Sequence, residues 1–450
     1  MLHPELDTTT TIVAPATASG GAVMVVRLSG NDAIAIADKI FSGHGRLADA
    51  KGYSLHYGTI RDGERIVDDV VVALFRAPHS YTGDDTVEIT AHGSEYITSE
   101  ILRLAIEHGA RMATAGEFTR RAFLAGKMDL SRAEAVADVI ASNSRWSHRV
   151  ASTQMRGSYS EHLASLRRDL LRLCSLLELE LDFSEEDVEF ADRQTLRSIL
   201  AEVERQITSL RSSFALGNVL KEGVTVAIVG EPNVGKSTLL NALLEDDRAM
   251  VSDIAGTTRD TIEASTTIDG IRFRFIDTAG LHATTDKLEQ MGIERTHRAI
   301  DRAHIVLHMA SAERPEFGDI ATNTSQHYIR IINKIDTVRE SIALADNTPL
   351  LISAKRSIGI ETLRDRLRSL IDTTAVDAGS IVVSNMRHYE ALSRAYEALK
   401  DAQRAIDSGL PADHVSEDIR TILHHLGEIT GDITSDDILQ SIFSTFCIGK

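Results

Sequence analysis

Residues Gly230 to Thr238 read GEPNVGKST and match G-x-x-x-x-G-K-[ST], a loop whose residue types suit the binding of phosphate groups. Gly230 and Gly235 let backbone N–H groups curl around a β-phosphate, and Lys236 reaches the β- and γ-phosphates. The Ser237 hydroxyl can ligate Mg²⁺, and the start of the following helix adds partial positive charge. A strand-like segment precedes the loop and a helix-like segment follows it. The sequence therefore predicts a nucleotide site here.

The segment NKID, Asn333 to Asp336, can decide which base is bound. A carboxylate at Asp336 can accept hydrogen bonds from N1–H and the 2-amino group of guanine, whereas adenine offers neither donor. A buried acceptor left unpaired costs about 1–3 kcal/mol, and more if it is charged. SAK, Ser353 to Lys355, ends the next strand, where a backbone N–H can contact the guanine oxygen. In this order after the phosphate loop, the motifs predict GTP rather than ATP.

Two further segments fall where the mobile switches of a nucleotide hydrolase should lie. DTAG, Asp277 to Gly280, places a carboxylate near Mg²⁺ and a glycine N–H near the γ-phosphate. AGTTRD, 255–260, supplies Thr258 as a second hydroxyl on Mg²⁺. Leu281 follows the glycine where many such proteins have a glutamine that orients the attacking water, so another group must do this here. The GTP contacts predicted from all these motifs are Asn233, Val234, Gly235, Lys236, Ser237, Thr238, Thr258, Asp277, Gly280, Asn333, Lys334, Asp336, Ser353, Ala354 and Lys355.

The composition of the whole chain limits the class of protein to which it can belong. With 450 residues, 43% of them hydrophobic and 25% charged, two to four domains are expected. The two cysteines, Cys174 and Cys447, argue against a disulfide framework and fit a reducing, cytoplasmic setting. No secretory signal or membrane-spanning apolar stretch is visible in the sequence. A formal charge of −18 argues against a general basic field for nucleic acid, although a local basic patch stays possible.

The residue composition and the hydrophobic pattern change along the chain. Residues 1–128 read as β-rich, with an Asp62-Gly63 turn, an alternating strand around Glu88, and a helix capped by Ser94 and stopped at Gly109. Residues 129–220 read as helical, with one apolar stripe at Leu163, Leu166, Leu170, Leu173 and Leu177. Cys174 lies among these leucines and is predicted to be a small core residue.

Residues 221–375 alternate between strand and helix patterns, which is typical of a mostly parallel sheet with helices on both faces. Asp269-Gly270 predicts a tight hairpin that adds one antiparallel edge strand. Residues 376–450 read as helical again. Since helical segments flank the α/β segment, the α/β domain is predicted to be inserted into a helical domain made of two chain segments.

Sequence beyond these motifs resembles the MnmE family, also called TrmE, of tRNA modification GTPases. The resemblance rests on AGEFTRRAFLAGKMDLSRAEAVADVI (115–140), on the terminal FCIGK (446–450), and on GEPNVGKSTLLNAL and DIAGTTRD. It covers essentially the whole chain, and the C-terminal Cys-x-Gly-Lys is specific. The implied architecture is a multidomain α/β and α fold: a β-rich tetrahydrofolate-binding and dimerisation domain, the two-segment helical domain, and an inserted Ras-like P-loop GTPase domain.

The resemblance also implies an activity. The family forms homodimers through the N-terminal domains and works with the FAD-dependent protein MnmG (GidA). Together they add a carboxymethylaminomethyl or aminomethyl group to C5 of the wobble uridine of certain tRNAs. The one-carbon unit comes from 5,10-methylene-tetrahydrofolate, for which 5-formyl-tetrahydrofolate is an analogue. Either glycine or ammonium supplies the nitrogen.

For GTP hydrolysis, the resemblance implies that K⁺ supplies the charge that an arginine provides elsewhere, once two G domains meet. The matching K⁺ ligands are Asn233, Ser252, Ile254 and Thr257, of which Ser252 and Thr257 also count as nucleotide contacts. The family has threonine where Ser252 stands, which leaves a backbone contact intact. Glu289 would orient the attacking water through a second, bridging water. Lys236 would be the other catalytic group for GTP hydrolysis. From the local sequence alone, Glu289 is predicted to be a solvated charged residue on a helix.

The family's folate contacts match Arg27, Glu88, Lys127 and Lys450. Arg27 and the lysines would hold folate carboxylates, and Glu88 would accept from pterin N–H groups. Cys447 would be a nucleophilic or acid–base thiol near the folate and the uridine, with a buried structural thiol as the alternative.

Two other functions stay open at the level of sequence. The first alternative to a tRNA modification GTPase is a GTP-dependent ribosome or RNA assembly switch without modification chemistry, and the second is a folate-dependent one-carbon enzyme that GTP merely regulates. The switch predicts no folate affinity. EED (185–187) and His424-His425 show no partners at metal-ligand spacing and are predicted to be solvated surface.

Overall fold

The chain forms two compact units in the computed structural model. The described residues are 9–18, 20–182, 193–244, 264–276, 297–320, 323, 326–338 and 349–449. One unit comprises Met1–Ala137, Met155–Cys174 and Ile419–Lys450, and the other comprises Asp138–Gln154 and Ser175–Asp418. Segments that are distant in sequence thus fold together in each unit. The finer division into 1–128, 129–220, 221–375 and 376–450 stays a prediction.

A seven-stranded sheet is the centre of the first unit. Its strands are β1 (Ile12–Pro15), β2 (Val23–Ser29), β3 (Phe41–Gly43), β4 (Ser54–Asp62), β5 (Arg65–Phe75), β6 (Thr86–His92) and β7 (Arg111–Met112). The strand order is β3-β4-β5-β6-β2-β1-β7, and every neighbouring pair is antiparallel except β1 and β7. On β6 the predicted alternation is confirmed, because Val87 and Ile89 are fully buried while Glu88 is half-buried.

A six-stranded sheet is the centre of the second unit. Its strands are β8 (Val224–Gly230), β9 (Ala264–Ile268), β10 (Ile271–Ile276), β11 (Ile305–Ser311), β12 (His327–Asn333) and β13 (Leu350–Leu351). The order β13-β12-β11-β8-β10-β9 is parallel throughout except for the β9–β10 hairpin. The predicted turn at Asp269-Gly270 is confirmed, with φ of 49° and 76° at its two residues.

Helices accompany both sheets. Among the described residues they include α1 (Ala33–Ile40), α2 (Glu95–Glu107), α3 (Glu117–Leu124), α4 (Leu130–Ala141), α5 (Arg145–Met155), α6 (Ser158–Asp182), α7 (Arg193–Glu222), α8 (Lys236–Leu244), α9 (Ile360–Ser369), α10 (Thr374–Asp377), α11 (Met386–Asp407), α12 (Ala412–Thr430) and α13 (Asp436–Ser444). Residues 297–302, before β11, are also helical. The predicted leucine stripe lies on α6, and all five leucines are fully buried. None of the described helices combines the length and apolar character that a membrane crossing requires.

One local prediction needs correction. Ser94 lies at the N-cap position of α2, as expected, but its side chain makes no capping hydrogen bond; its backbone carbonyl accepts the ordinary first helical hydrogen bond from the Thr98 N–H. Between β11 and β12, where a crossover helix is common, the described residues of 312–326 contain no helix. There the ring of Phe317 packs 5.1 Å from that of His308 and 5.5 Å from the Arg330 guanidinium, so a short segment covers these strands.

The helical segments before and after the α/β module pack against each other in the second unit. The Arg211 guanidinium of α7 lies 4.3 Å above the Tyr396 ring of α11, and Phe214 stacks on Tyr389 at 4.5 Å. Because α7 leads directly into β8 and α11 follows the module, these contacts join the two halves of one helical domain. The α/β module is therefore an insertion.

Gly217 of α7 marks a close approach to this second helical segment. A Cβ at this position would lie 2.1 Å from the carbonyl oxygen of Val383 and 2.8 Å from the Val382 side chain. Neither separation is tolerated by packed atoms, so only glycine lets the two segments approach this closely.

Replacing Gly217 by alanine should therefore lower the melting temperature. Alanine ordinarily stabilises a helix by about 0.5–1 kcal/mol relative to glycine, but overpacking a core costs about 1–3 kcal/mol. Gly318→Ala is the control, because nothing lies within 4 Å of a Cβ there. Calorimetry on the two variants checks the sign, and a higher melting temperature for Gly217→Ala would contradict the close approach.

Candidate nucleotide site and a second polar site

The predicted phosphate loop connects β8 to α8. β8 lies between β10 and β11, and Lys236 is the first residue of α8. Asn233 and Gly235 have positive φ of 64° and 96°, which curls the loop. A Cβ on Gly235 would lie 2.4 Å from Nδ2 of Asn333, so glycine is required there. The strand–loop–helix context predicted from the sequence is confirmed.

Lys236 lies over this loop. Its Nζ donates to the carbonyls of Gly230 and Glu231, each at 2.8 Å. Burial lowers the pKa of Lys236, because removal from water disfavours the charged ammonium form. Phosphate oxygens entering the loop would supply that compensation, so the ammonium group suits an anionic ligand.

Asn333 connects the phosphate loop to the SAK segment. Its side chain is buried; Nδ2 donates to the Val234 carbonyl at 2.8 Å, and Oδ1 accepts from the Ala354 N–H at 2.9 Å. Both ends of the amide are thus engaged inside the protein. This bracing role is not visible in the sequence, where Asn333 reads only as a nucleotide contact.

Asp336 lies in the turn after β12. Its Oδ1 accepts from the Ser353 hydroxyl at 2.6 Å, and its Oδ2 lies 3.5 Å from Nε of Arg356. The hydrogen bond from Ser353 is the main cause that lowers the pKa of Asp336. The carboxylate is therefore ionised at neutral pH and suited to accept hydrogen bonds from a base.

The remaining predicted contacts surround these residues. Val234 is buried, Ser237 is half-buried in the first turn of α8, and Thr238 is exposed beside it. Lys334 has a positive φ of 65°, and Lys355 lies in a 3₁₀ turn after Ser353. A cavity of about 230 Å³ opens beside the loop, lined in part by Asn233, Val234 and Lys334. The predicted site residues outside the described ranges are Ser252, Ile254, Thr257, Thr258, Asp277, Gly280, Glu289 and Lys450.

A second polar site lies on the sheet of the first unit. Arg27 of β2 and Glu88 of β6 are register partners, and Nε of Arg27 donates to Oε1 of Glu88 at 2.9 Å. The Arg27 side chain is only 14% exposed, and its guanidinium lies 5.8 Å from the Tyr81 ring and 5.6 Å from the Phe118 ring. These rings and Glu88 fix its position. Neither aromatic residue carries a sequence signal that would have predicted this role.

The C-terminal tail reaches the same site. Nη1 of Arg27 donates to the carbonyl of Gly449 at 3.2 Å, and the Gly116 N–H donates to the Cys447 carbonyl at 3.4 Å. Gly449 has a φ of 96°, and a Cβ there would lie 2.1 Å from the Pro15 carbonyl oxygen. The tail is thus attached to the sheet by backbone contacts, and Cys447 is exposed.

Lys127 approaches the site through a neighbouring loop. Its Nζ donates to the carbonyl of Pro78, and its Cε lies 3.5 Å from the Cβ that Gly83 would carry. The loop between these two residues also carries Tyr81, which faces Arg27. The structure therefore brings Arg27, Glu88 and the tail together directly, and it connects Lys127 to them through this loop.

Comparison with known proteins identifies the relatives of this chain. Residues 130–447 match the family profile "MnmE helical domain", and residues 11–127 match "GTP-binding protein TrmE N-terminus". The tRNA modification GTPase MnmE of Bacteroides fragilis is 49% identical over 461 residues, which cover 98% of this chain and 99% of the relative. The protein of the same name from Flavobacterium psychrophilum is 46% identical over 457 residues, with the same coverage of 98% and 99%.

Solved structures of other proteins resemble part of the chain. A variant of Era from Aquifex aeolicus, bound to GDP and AlF4⁻, is 28% identical over 39% of this chain and 66% of that chain. Its TM-score of 0.26 is too low to support conclusions from that structure. The family profile and the relatives decide the assignment: the chain belongs to the MnmE family of tRNA modification GTPases, and it is a GTP-hydrolysing enzyme that takes part in tRNA modification.

Proposed function

We propose that this chain, with an FAD-dependent partner protein, adds a carboxymethylaminomethyl or aminomethyl group to C5 of the wobble uridine of certain tRNAs. The one-carbon unit comes from 5,10-methylene-tetrahydrofolate, and GTP hydrolysis, dependent on potassium, accompanies pairing of the G domains. The observation that carries the proposal is the attachment of the C-terminal tail, which carries the exposed Cys447, to Arg27 through the carbonyl of Gly449, while Arg27 is itself paired with Glu88.

Binding of GTP is supported by the geometry of the phosphate loop and of the base motif. Lys236 is held over the loop by carbonyls that phosphate oxygens can replace as partners. Asp336 is kept ionised and oriented by Ser353, and guanine alone offers two donors to it. Asn333 keeps the two loops at a fixed separation.

Metal ions complete this proposed site. Ser237, half-buried in the first turn of α8, and Thr258 would hold Mg²⁺. Asn233 is exposed on the curled loop and offers an amide oxygen for K⁺, together with Ser252, Ile254 and Thr257. Such a cation stabilises the negative charge that spreads over the phosphates during hydrolysis. Glu289 would position the attacking water through a second water.

Tetrahydrofolate binding is supported by the pair on the first sheet. Arg27 engages Oε1 of Glu88, and within the described part of the chain no hydrogen bond occupies Oε2 of this carboxylate. Oε2 is thus placed to accept from pterin N–H groups, while the guanidinium, Lys127 and Lys450 offer positive charge to folate carboxylates. Cys447, exposed two residues before Gly449, would act on the uridine or on the one-carbon unit.

An apolar sheet face in the first unit supports a homodimer. Tyr53, Leu55 and Tyr57 precede or lie on β4 with 72%, 73% and 71% of their surfaces exposed. Leu55 pairs with Ala73 and Tyr57 with Val71 of β5, so these residues form one continuous surface. Adjacent exposed apolar side chains of this size mark an interaction site. A second copy of the chain is the proposed occupant, and it would bring the two G domains of a dimer into one assembly.

The proposed setting is the cytoplasm, where the substrate tRNA and the partner occur and where both cysteines stay free thiols. The proposed domains are 1–128 for folate and dimerisation, 129–220 with 376–450 for the helical domain, and 221–375 for GTP.

Replacing Asn233 by alanine tests the cation. We expect GTP hydrolysis by the parent chain to be faster in potassium than in sodium chloride, and Asn233→Ala to lose this difference, because one ligand of the ion is removed. Loss of a single transition-state contact costs about 10²–10³ in kcat. The control is Glu231→Gln, an exposed neighbour in the loop. Equal rates for the parent chain in the two salts would remove the cation from the mechanism.

Replacing Arg27 or Glu88 by glutamine tests the folate site. Hydrogen bonds to charged groups contribute about 1.5–3 kcal/mol, so each variant should bind 5-formyl-tetrahydrofolate about 10- to 100-fold more weakly in calorimetric titration. Arg46→Gln, which alters an exposed arginine on the same unit, is the control and should bind normally. A parent chain without affinity for the folate would favour the GTP-dependent assembly switch instead.

A further inference from the structure

Three potential metal ligands share one face of α12. Nε2 of His424 lies 3.4 Å from Oε1 of Glu428, and Nδ1 of His425 lies 3.5 Å from Oε2 of the same carboxylate. The three ligand atoms all lie within 4.8 Å of one another. His424 is exposed and the other two residues are half-buried, with Nδ1 of His425 itself buried, so solvent reaches the group at His424. Within the described ranges, no other group of three histidine, cysteine or acidic side chains is this compact.

The separations suit a bound ion. Ligand atoms at about 2.0–2.1 Å from a four-coordinate zinc ion are about 3.3 Å apart, close to the two distances between imidazole and carboxylate here. Because His424 faces one carboxylate oxygen and His425 faces the other, an ion between the rings can contact both oxygens of Glu428. Little movement of the helix is required for that arrangement.

We propose that His424, His425 and Glu428 bind a borderline divalent transition metal of the zinc class. Imidazole nitrogen favours Zn²⁺, Cu²⁺ and Ni²⁺, whereas Mg²⁺ prefers oxygen ligands, so this site is distinct in chemistry from the Mg²⁺ of the nucleotide loop. Three protein ligands leave coordination positions open to water or to a ligand from outside. A metal that bridges residues four apart on α12 also stabilises this last full turn, which ends at Thr430 before the segment that carries the tail.

From the sequence, His424 and His425 are predicted to be solvated surface residues, and that prediction does not consider Glu428. A glutamate four residues after His424 and three after His425 lies on the same helical face, which is the spacing at which side chains meet. The competing explanation is an ordinary surface ion pair between protonated histidine and Glu428. An ion pair requires charged rings, whereas a metal requires neutral ones, so the two explanations predict different behaviour towards added metal.

Calorimetric titration of zinc chloride into the full chain tests the proposal. The background should be Cys447→Ser, because the exposed thiol is itself a zinc ligand. We expect one Zn²⁺ per chain in this background. His424→Ala, His425→Ala and Glu428→Gln should each weaken zinc binding by about 10- to 100-fold or more. Substituting a residue that only supports a metal ligand already lowers metal affinity by that factor. His414→Ala, which removes an exposed histidine elsewhere on α12, is the matched control and should leave binding unchanged.

A second measurement keeps the test independent of folding. Zinc at saturating concentration should raise the melting temperature of the Cys447→Ser chain and leave unchanged that of the same chain carrying both His424→Ala and His425→Ala. Absence of stoichiometric zinc binding, or zinc binding of equal strength after all three substitutions, would overturn the proposal. These outcomes are separate from the proposed tRNA chemistry, because GTP and folate binding are expected to survive in every α12 variant.

Discussion

The side-chain amide of Asn333 is the interaction on which the nucleotide site depends. It donates to the phosphate loop at Val234 and accepts from the SAK segment at Ala354. Two loops that follow different strands are thereby held at a fixed separation. These hydrogen bonds of Asn333 also explain why glycine is required at position 235, because Gly235 leaves the space that Nδ2 occupies. Since an unsatisfied buried partner costs about 1–3 kcal/mol, losing the amide would affect both loops together.

The tail depends on a comparable constraint in the first unit. Gly449 fits against Pro15 only without a side chain, and its carbonyl meets Arg27, which Glu88 and two aromatic rings already hold. The chain end thus contributes to a site on a sheet built from the first residues. In the proposed function, the nucleotide site of the second unit binds and hydrolyses GTP. The site at Arg27 and Glu88 would hold folate and present the Cys447 thiol.

Sequence predicts what is local and misses what only folding brings together. The phosphate loop and the Asp269-Gly270 hairpin follow from residue types at fixed spacing, and both are confirmed. The leucine stripe on α6 likewise follows from helical periodicity. The double role of Asn333 and the rings around Arg27 depend on partners many residues away, and no local pattern encodes such contacts. The missing side-chain cap at Ser94 shows the converse: a favourable residue type at a helix start need not make its usual hydrogen bond.

The inserted module is proposed to select guanine through Asp336, which Ser353 holds in place. Measuring GTP and XTP binding to the Asp336→Asn chain tests this selection, because xanthine carries a carbonyl where guanine carries its amino group. GTP affinity should fall about 10- to 100-fold while XTP affinity rises, as one acceptor becomes a donor. Asp269→Asn, at an exposed turn of the same module, should bind GTP like the parent chain. Unchanged preference for GTP in Asp336→Asn, or equal binding of ATP and GTP by the parent chain, would contradict the claim.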